Sequence, residues 1–496
     1  MNGVSLNRLV KGFSNELSSD VLIRGLQTDS RKVQKGDLFI AYPGMHSDKR
    51  QYIKEAIDKQ AVAVFFDPRD YKLSIERLSI ESSVPLIPIS RLQNQVGEIA
   101  ARFYSHPTKH LKIIGVTGTN GKTSCTHFIA QLLESQGMPC AIVGTLGYGF
   151  VGNLTKTNYT TPDPLQLQQA FVQIRKEGAR AVAMEVSSHA LDQHRVSGVH
   201  FDIAVFTQLS RDHLDYHGSM ENYARAKELL FQQIGLSYGV VNCDDEFGRC
   251  LIAKYHKKLM LIGYSMKRIK DDRVPLIMAT AIKTLAQGFS VTVQTPWGNG
   301  TLTIPLFGRF NISNLLPVIG VLGLLGASLE KAFLELSKLK NVLGRMQSVE
   351  CASGPQVVVD YAHTPDALEK ALMSLREHCR GQLICIFGCG GDRDRGKRPQ
   401  MGAIAERYAD QVIVTNDNPR SESPLAIIQD IKAGFKNPQS VIVETDRAAA
   451  IHYAVQKATV DDIVLIAGKG HETTQVIGRD VLPFDDVQEA QKALNL

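Results

Sequence analysis

The sequence predicts an α/β protein built from three successive domains. Short runs of β-branched and other apolar residues alternate with amphipathic helical stretches along almost the whole chain. This alternation is typical of helices packed on mainly parallel sheets. A chain of 496 residues is too long for one hydrophobic core and corresponds to about three domains of ordinary size. In such sheets ligands bind at the carboxyl ends of the strands, so the polar loops that follow the apolar runs are the candidate binding segments.

The composition is that of a globular protein, with 44% hydrophobic and 21% charged residues. Residues 1–20 contain no continuous apolar segment of the signal-peptide type. The longest apolar stretch, 315–327, contains Pro317 and falls short of the roughly 20 residues that span a bilayer. Eight cysteines, mostly in apolar runs, do not indicate a disulfide scaffold, so we expect a cytoplasmic protein. The net charge of +6 is too weakly clustered to predict nucleic-acid binding and suits small anionic substrates equally well.

The first domain is expected to span residues 1–90. It contains three short strand patterns, DLFIAY, AVAVFF and PLIPI, and a helical stretch around residues 53–59. These elements predict a small α/β domain.

The second domain is expected to span residues 91–345. The apolar run LKIIGVTG leads into a glycine-rich loop, and the runs CAIVGTLG, ARAVAMEVSS and FDIAVFTQLS predict further strands of a parallel sheet. The segment GFSVTVQTPWGNGTLTIPL predicts an antiparallel hairpin, with its turn at Gly298-Asn299-Gly300.

The third domain is expected to span residues 346–496. Five segments, PQVVVDYAHTP, LICIFGCGGD, DQVIVTNDNP, SVIVET and DDIVLIAGKG, each predict a buried strand followed by a polar loop and then a helix.

The clearest motif is GVTGTNGKTS at residues 115–124, which lies between a predicted strand and a predicted helix. Backbone N–H groups in such a loop bind phosphates, and the dipole of the following helix adds to the attraction. Lys122 would contact the β- and γ-phosphates, and the Thr123 hydroxyl would bind Mg²⁺. Val116 replaces the usual first glycine, yet Gly-Lys-Thr at a strand-to-helix junction favours a nucleotide loop over an ordinary turn. The residues assigned to ATP are Gly118, Thr119, Asn120, Gly121, Lys122, Thr123 and Ser124.

Two polar clusters, EVSSHAL and SRDHLDYHG, follow neighbouring predicted strands. Glu185 and His213 at these strand ends could hold a second Mg²⁺. His213 and His217 also have the i,i+4 spacing of metal ligands, although a solvated or hydrogen-bonded histidine is the alternative for at least one of them.

Lys227 lies on the apolar face of a predicted helix, together with Tyr223, Leu230 and Ile234. A lysine in this place must extend to solvent, pair with an anion or change its chemistry. Helix position alone does not decide between these outcomes.

Many independent motifs occur in a fixed order along the chain. They are TDSR, GTNGKTS, EVSSHAL, SRDHLDYHG, NYARAK, GRFNISN, LGRMQ, DYAHTPD, GCGGDRDRGKRPQM, DNPRSE and AGKGHE. This set resembles the Mur ligase family, from Thr28 to the C-terminus. The resemblance implies a UDP-binding N-terminal domain, a central P-loop ATPase domain and a Rossmann-like C-terminal domain that binds an amino acid. It also implies amide-bond formation: a substrate carboxylate attacks the γ-phosphate of ATP, and an amine displaces phosphate from the resulting acyl phosphate.

The resemblance also implies roles for individual residues. Lys227 would be N-carboxylated and would help to hold Mg²⁺, giving a metal set of Thr123, Glu185, His213 and Lys227 and a catalytic set of Lys122, Lys227, Glu185 and His213. Further ATP contacts are implied for Asn311, Arg345, Asp360 and His363. The peptide precursor would be bound by Thr160, Thr161, Ser187, Gln193 and Arg195. Its uridine end would be bound by Thr28 and Ser30 and, through the looser match GMHSDK, by Met45, His46 and Ser47.

The loops of the third domain indicate which amino acid is added. Diaminopimelate differs from lysine by a second α-amino acid centre and therefore by one carboxylate. Arg393 and Arg420 offer guanidinium groups, which bind carboxylates in a bidentate geometry that lysine cannot match. In the family, DNPR at this place accompanies diaminopimelate, so the amino-acid contacts are implied for Arg393, Asp417, Asn418, Pro419, Arg420, Gly468 and Glu472. Glu472 would bind the distal ammonium group.

These residues and the resemblance predict a monomeric, ATP- and Mg²⁺-dependent ligase that joins meso-diaminopimelate to UDP-N-acetylmuramoyl-L-alanyl-D-glutamate. Lysine addition is the first alternative, with Arg420 as a solvated loop residue. A ligase similar to folylpolyglutamate synthase is a more distant one, because it gives no reason for DNPR. A P-loop switch without ligase activity leaves Glu185, His213 and Lys227 unexplained.

Overall fold

The structure is a computed structural model that describes residues 3–14, 20–44, 47–69, 83–157, 159–285, 288–349 and 354–495. The chain divides into two compact units, Met1–Tyr264 with Asp271–Leu276 and Pro317–Ala327, and Ser265–Lys270 with Ile277–Leu316 and Ser328–Leu496. In the described residues, no helix combines the length and the apolar character needed to cross a bilayer.

The N-terminal part of the first unit is a four-stranded parallel sheet of order β3-β4-β5-β6. The central strand Asp37–Ala41 is buried along its length, with Leu38 and Ile40 in the core on one face and Phe39 and Ala41 in the core on the other. The predicted strands and helix are confirmed. The strands are β1 Val4–Ser5, β2 Leu22–Ile23, β3 Gly25–Gln27, β4 Asp37–Ala41, β5 Ala63–Phe66 and β6 Leu86–Pro88. The α-helices are Leu6–Val10, Ile53–Asp58 and Leu92–Phe103, with 3₁₀ turns at Ser30–Lys32 and Lys49–Tyr52.

The rest of the first unit contains eight strands in the order β10-β9-β8-β11-β7-β12-β13-β14. Six of them, from β8 to β14 in this order, run parallel, as the apolar runs predict. The strands are β7 Lys112–Thr117, β8 Cys140–Gly144, β9 Gly147–Phe150, β10 Asn153–Thr155, β11 Ala181–Glu185, β12 Ile203–Phe206, β13 Tyr238–Asn242 and β14 Met260–Ser265. The α-helices are Lys122–Ser135, Pro164–Lys176, Ser188–Asp192, Leu214–His217, Met220–Glu228 and Glu246–Tyr255, with 3₁₀ turns at Pro107–His110 and Leu229–Gln232.

The predicted hairpin is present in the second unit, but its turn was placed wrongly. Strands β15 Leu276–Thr284, β16 Phe289–Thr295 and β17 Gly298–Ile304 form an antiparallel ribbon. Thr295 pairs with Gly298, so the turn consists of Pro296 and Trp297 rather than Gly298-Asn299-Gly300. Gly300 lies inside strand β17, where an added β-carbon would come within 2.5 Å of the Phe333 ring. The glycine is therefore needed for close packing, not for the turn.

The C-terminal part of the second unit is a six-stranded sheet of order β18-β19-β23-β20-β21-β22, parallel except for β18. Its two faces are covered by separate apolar cores, around Leu372 and Met401 on one side and around Ile451 and Ala490 on the other. The strands are β18 Gln347–Val349, β19 Gln356–Asp360, β20 Leu383–Phe387, β21 Gln411–Val414, β22 Ile442–Val443, β23 Ile463–Ala467 and the hairpin pair β24 Thr474–Ile477 and β25 Asp480–Pro483. The second unit also contains the α-helices Leu329–Leu336, Pro365–Arg376, Lys397–Tyr408, Pro424–Lys432, Arg447–Lys457 and Asp486–Ala493; a further helix spans Arg309–Leu324.

Candidate active site

The phosphate loop joins strand β7 to the helix Lys122–Ser135, as predicted. Gly118 has φ +148°, a value in the range that favours glycine, and a β-carbon at this position would collide with the Thr207 hydroxyl. That hydroxyl donates to the carbonyl of Asn120 at 2.6 Å and fixes the loop from strand β12. The loop is thus held open at the N-terminus of a 14-residue helix, where the dipole attracts anions.

The Lys122 side chain bends back over this loop. Its ammonium donates to the carbonyl oxygens of Gly118 at 2.9 Å and of Thr119 at 2.8 Å. The cation therefore lies at the loop itself, as expected for a lysine that contacts phosphate oxygens. Thr119 is in turn fixed by Tyr223, whose hydroxyl donates to Thr119 Oγ1 at 3.2 Å.

Glu185, at the end of strand β11, is a buried carboxylate next to the phosphate loop. Its side chain accepts from the Thr123 hydroxyl at 2.9 Å and from the backbone N–H of Thr145 at 2.8 Å. Only 1% of Glu185 is exposed, and in the part of the chain that the structure describes no cationic side chain pairs with it. Thr123 and Glu185, which were predicted to share a metal, therefore do lie together. Oxygen atoms of this kind are the ligands that Mg²⁺ prefers.

His213 lies in the loop after strand β12 and has φ +52°. Its ring is half-exposed, 3.4 Å from the Asp212 carboxylate, and packs edge-on at 4.9 Å from the ring of His189. His217 is instead buried and hydrogen-bonded at 3.0 Å to Ser188 Oγ. Of the two histidines with metal spacing, one is therefore a hydrogen-bonded core residue, which was the stated alternative. The described residues contain no group of three or more His, Cys, Asp and Glu side chains arranged to hold a metal ion.

Lys227, in the helix Met220–Glu228, is only 1% exposed, so it does not extend to solvent. Its Nζ lies 4.2 Å from the centroid of the Tyr223 ring. No hydrogen bond or ion pair joins this Nζ to another of the described residues. Burial, together with the nearby Lys122 cation, holds the pKa of Lys227 well below its ordinary value, although Asp212 opposes this shift. Burial therefore disfavours the charged form of this side chain relative to an exposed lysine.

The residues assigned to the peptide precursor form one hydrogen-bonded group at the carboxyl ends of β8 and β11. Thr160 Oγ1 lies 3.1 Å from Thr145 Oγ1, and the Thr161 hydroxyl donates to the backbone carbonyl of Glu185 at 2.9 Å. The backbone N–H of Ser187 donates to Thr161 Oγ1 at 3.1 Å. Arg195 donates to the Thr161 carbonyl at 3.1 Å and to Gln193 Oε1 at 2.9 Å. The five residues therefore lie together and adjoin the buried carboxylate of Glu185.

A cavity of about 470 Å³ lies in the N-terminal part of the first unit. Thr28, Ser30 and Ser47, all assigned to the uridine end of the precursor, line it. Ser30 is buried and donates to Glu55 Oε2 at 2.8 Å. Asp29, Arg31, Lys49 and Tyr52 complete the polar lining. Met45 and His46, which were assigned to the same site, lie outside the described residues.

The four remaining residues assigned to ATP lie in the second unit. Asn311 is buried at the start of its helix and donates to the Phe307 carbonyl at 2.8 Å. Asp360 ends strand β19 and accepts from the Met346 N–H at 2.6 Å, and burial raises the pKa of its carboxyl.

Arg345 and His363 lie beside the Tyr361 ring. The guanidinium of Arg345 is 4.8 Å from the ring centroid, and the His363 ring is 4.5 Å away. Burial lowers the pKa of His363. An aromatic ring, an arginine and a histidine therefore meet at the end of strand β19.

The predicted amino-acid site is built from the loops after β20, β21 and β23. Asn418 donates to Glu472 Oε2 at 2.8 Å, and the buried Lys469 ammonium donates to Asn418 Oδ1 at 3.0 Å and to Glu472 Oε2 at 3.2 Å. Gly468 has φ +117°, and a β-carbon there would lie 2.6 Å from the Asp417 carboxylate. Burial raises the pKa of Asp417, against the opposing effect of Arg447. These predicted residues are thus in mutual contact.

Arg420, the arginine of DNPR, is held at both ends. Its backbone has φ +51° and pairs with the β24–β25 hairpin, donating to the Val476 carbonyl at 3.1 Å and accepting from the Gly478 N–H at 2.7 Å. Its Nη1 donates to the Gly391 carbonyl at 2.7 Å. Arg393 lies two residues from that carbonyl. Among the described residues, no carboxylate forms an ion pair with Arg393 or Arg420.

Sequence reasoning did not identify several residues that build these sites. Thr145 bonds Glu185, and Lys469 links Asn418 to Glu472. Glu422, directly after DNPRS, bonds both the backbone of Asp392 and the Arg398 side chain. Lys469 lies in the motif AGKGHE and Glu422 lies in DNPRSE, so both could have been identified as candidate site residues from the sequence. Thr145 carried none, because a threonine after a strand is common.

A parallel-sheet domain with a strand–phosphate loop–helix unit, followed by a second parallel sheet with charged loops at one edge, defines a nucleotide-binding α/β enzyme. Three family models match it in order: the Mur ligase family catalytic domain over residues 22–104, the Mur ligase middle domain over 116–322, and the Mur ligase glutamate ligase domain over 344–470. The chain belongs to the Mur ligase family. The predicted three-domain α/β architecture is confirmed.

The relatives differ in how far they match. The UDP-N-acetylmuramoyl-L-alanyl-D-glutamate--2,6-diaminopimelate ligase of Coxiella burnetii is 67% identical over 494 residues, covering 100% of both chains. A solved ligase of the same description superposes with a TM-score of 0.75 and 36% identity over 99% of both chains. Folylpolyglutamate synthase of Mycobacterium tuberculosis, solved with ADP and AMPPCP, has a TM-score of 0.63 at 16% identity, over 81% of this chain and 95% of its own. That likeness shows a shared fold alone.

Proposed function

We propose that this chain is an ATP-dependent ligase that joins meso-diaminopimelate to UDP-N-acetylmuramoyl-L-alanyl-D-glutamate in cell-wall precursor synthesis. The γ-phosphate of ATP passes to the free carboxylate of the D-glutamyl residue, and the amine of diaminopimelate displaces phosphate from the acyl phosphate. The observation that carries the proposal is the charge pattern at the edge of the C-terminal sheet. There Glu472, suited to an ammonium group, accompanies two arginines that lack carboxylate partners among the described residues.

The choice of amino acid follows from that pattern. Lysine has no second carboxylate, so a lysine-adding site has no use for guanidinium groups left without an anion. Diaminopimelate brings one carboxylate and one ammonium at its distal end. Arg420 and Arg393 match the carboxylate, with the bidentate geometry that arginine favours, and Glu472 matches the ammonium. The name of the 67% identical relative supports the same substrate.

The nucleotide site is proposed for ATP with Mg²⁺. The loop residues 118–124 bind phosphate through backbone N–H groups, and Asn311, Arg345, Asp360 and His363 bind the rest of the nucleotide. Thr123 and Glu185 fit Mg²⁺, because they are buried oxygen ligands 2.9 Å apart without a cationic partner in the described chain. His213 is the further proposed ligand. When bound there, the metal would offset the charge of the transferring phosphoryl group.

Lys227 is proposed to act as a carbamate. A neutral amine adds carbon dioxide, and both its burial and its lowered pKa favour the neutral form. Loss of one proton to solvent leaves a carbamate anion beside the phosphate loop, where it would help to hold Mg²⁺. This change of chemistry explains why the helix buries a lysine without an anionic partner among the described residues.

The precursor is proposed to bind in the first unit. Thr160, Thr161, Ser187, Gln193 and Arg195 would hold its peptide, and the 470 Å³ cavity would hold its uridine end. We propose three domains with limits near residues 104 and 345, because the helix Leu92–Phe103 packs in the apolar core of the first domain and a limit at residue 90 would separate it from that core. We further propose that the enzyme is monomeric and cytoplasmic, acts only on small molecules and binds no nucleic acid.

The test is phosphate release from ATP and Mg²⁺ with the UDP-linked dipeptide, comparing meso-diaminopimelate with L-lysine. We expect release only when ATP, precursor and diaminopimelate are all present, with little release from lysine. Release with lysine instead would retain the ligase mechanism and reject the amino-acid assignment. Release without either amino acid would indicate a P-loop hydrolase rather than a ligase.

A further inference from the structure

Two loops of the C-terminal sheet carry an unusual density of cations. Residues 388–398 follow strand β20, and residues 417–422 follow strand β21. Between them they contain Arg393, Arg395, Lys397, Arg398 and Arg420. A substrate carboxylate that enters this region could in principle be drawn to any of them, because unpaired cations attract anions with little geometric selectivity.

The structure divides these cations into two groups. Arg398 is fully buried and donates to both carboxylate oxygens of Glu422, at 2.8 and 3.0 Å, and to Asp430 at 2.9 Å. Arg395 lies 3.4 Å from Glu422 and 3.6 Å from Asp430. Lys397 donates to the carbonyl of His363 at 2.8 Å. Within the described chain, only Arg393 and Arg420 of the four arginines are left without a carboxylate.

Glu422 also joins the two loops through the backbone. Its Oε1 accepts from the N–H of Asp392 at 2.6 Å, while the neighbouring Ser421 hydroxyl donates to Asp392 Oδ1 at 2.7 Å. Arg398 donates in addition to the Gly390 carbonyl at 3.2 Å. The pKa of Glu422 falls to about 2, chiefly because Arg398 hydrogen-bonds to the carboxylate. The Glu422 carboxylate is therefore ionised throughout the physiological pH range.

The contacts that Glu422 makes with Asp392 and Arg398 also affect the position of Arg420. Its guanidinium donates to the carbonyl of Gly391, a residue next to Asp392, so the separation of the two loops fixes where the guanidinium lies. The backbone of Arg420 is already fixed in a left-handed conformation by the β24–β25 hairpin. Glu422 is thus one of the contacts that set the distance between the loop of Arg393 and the loop of Arg420, together with the hydrogen bond that the Gly391 N–H donates to the Asn418 carbonyl at 2.9 Å.

We propose that Glu422 is a positioning residue that determines specificity for the distal carboxylate of the amino-acid substrate. It neutralises Arg395 and Arg398 and holds the two loops together, so that of the four arginines Arg393 and Arg420 are left to bind the carboxylate. This role rests on the proposed function, since it requires a substrate with a second carboxylate.

The experiment is a steady-state comparison of wild type, Glu422→Gln, Ser421→Ala and Arg420→Ala, each with diaminopimelate and with L-lysine. Glutamine keeps the shape of the side chain and removes its charge. We expect Glu422→Gln to raise the KM for diaminopimelate about ten-fold, with kcat and the KM values for ATP and precursor within about two-fold of wild type. The ratio of kcat/KM for diaminopimelate to that for lysine should fall about ten-fold. Arg420→Ala gives the reference for complete loss of that contact.

Glu377→Gln is the matched control, because Glu377 also accepts from an arginine, Arg309, at 2.9 and 3.0 Å in the same unit. It should leave every kinetic constant unchanged. Should Glu422→Gln fail to fold, Ser421→Ala should show a smaller rise, about three-fold, in the KM for diaminopimelate alone. An unchanged preference for diaminopimelate in both variants would overturn the positioning role. So would a uniform loss across all substrates with a lower unfolding temperature. A wild-type enzyme that ligates lysine and not diaminopimelate would overturn the proposed function as well.

Discussion

The proposed chemistry of the site depends strongly on Lys227. The charged ammonium form of this residue is costly in free energy at its buried position. The side chain is 1% exposed and has no anionic partner among the described residues. Moving an unpaired ammonium out of water costs several kcal/mol, which the protein avoids by lowering the pKa of the group. Residues that retain such a cost are often required for activity, and their replacement stabilises the fold.

We therefore expect Lys227→Met to lose activity and gain stability. Phosphate release should fall on the order of 100-fold or more, since the variant lacks the proposed anion that would help to hold Mg²⁺ near the transferring phosphoryl group. The unfolding temperature should rise. Short carboxylates should partly restore the activity of Lys227→Ala by replacing the carbamate anion. Lys112→Met, which changes an exposed lysine paired with Asp202, is the control and should alter neither quantity. Full activity of Lys227→Met would exclude the carbamate role.

The lowered pKa of Lys227 also predicts the direction in which the free energy of unfolding changes with pH. The pKa of Lys227 is lowered in the folded state from the ordinary value of 10.5. Between the two pKa values the unfolded chain binds more protons than the folded chain, so the free energy of unfolding contributed by this group rises with pH. Scanning calorimetry should show that rise in wild type and a flatter profile in Lys227→Met. Equal pH profiles would indicate that Lys227 is charged when folded.

Helical spacing placed Lys227 on the apolar face of its helix without deciding whether its side chain is buried, and it did not predict the end of that helix. Tyr223 and Leu230 are buried as expected, whereas Ile234 is 93% exposed. The α-helix ends at Glu228 and a 3₁₀ turn follows, so the spacing of 3.6 residues no longer applies at Ile234. The side chains of residues 229–233 do not indicate that the α-helix ends at Glu228.

At the scale of an element, the C-terminal helix Asp486–Ala493 supports the amino-acid site through one buried ion pair. Arg447 and Asp486 are both fully buried and form two hydrogen bonds of 2.7 Å. The same guanidinium donates to the Ala467 carbonyl at 3.0 Å, at the end of strand β23 and directly before Gly468. The helix is thereby tied to the strand end that carries Lys469 and Glu472.

We expect Asp486→Asn to destabilise the protein by about 3–5 kcal/mol, because it leaves a buried guanidinium without its anion. Differential scanning fluorimetry should show a large fall in the unfolding temperature of the unit that contains this helix. Glu489→Gln, in the same helix but paired with the exposed Lys492 and with the partly exposed His452, should change stability by no more than about 1 kcal/mol. Equal unfolding temperatures for the two variants would show that the buried pair contributes nothing to stability.

Strands that are buried on both faces could be predicted from the sequence. The position of a turn was predicted less well, because it was inferred from glycine residues. The strands of both parallel sheets follow from continuous apolar runs, because a strand covered on both faces has no polar side. The hairpin turn was misplaced because Gly298 and Gly300 imitate turn residues. Pro296 supplies the fixed φ of a turn instead, and the Thr295 hydroxyl bonds the Trp297 N–H at 3.1 Å. Glycine needed for packing and glycine needed for a turn cannot be distinguished in sequence.

At the scale of the whole molecule, the order of the motifs predicted the order of the domains. Most of the motifs follow a strand at the binding edge of a sheet, whereas NYARAK lies in a helix and LGRMQ leads into strand β18. The Asp417, Asn418, Gly468 and Glu472 group could be predicted for the same reason. The contacts between Glu422, Arg398 and Asp392 could not. They join loops about 30 residues apart in sequence, and their pairing depends on the lateral order β20-β21, which local patterns do not contain.

The same organisation predicts that one chain suffices for activity. Every residue assigned to nucleotide, precursor and amino acid belongs to this chain, and a net charge of +6 opposes self-association. Light scattering coupled to size exclusion should therefore give the mass of a single 496-residue chain at all concentrations tested. The rate of ligation per chain should also stay constant on dilution. A two-chain mass together with a specific activity that falls on dilution would mean that a second copy completes the site, because only then does dissociation remove catalytic groups.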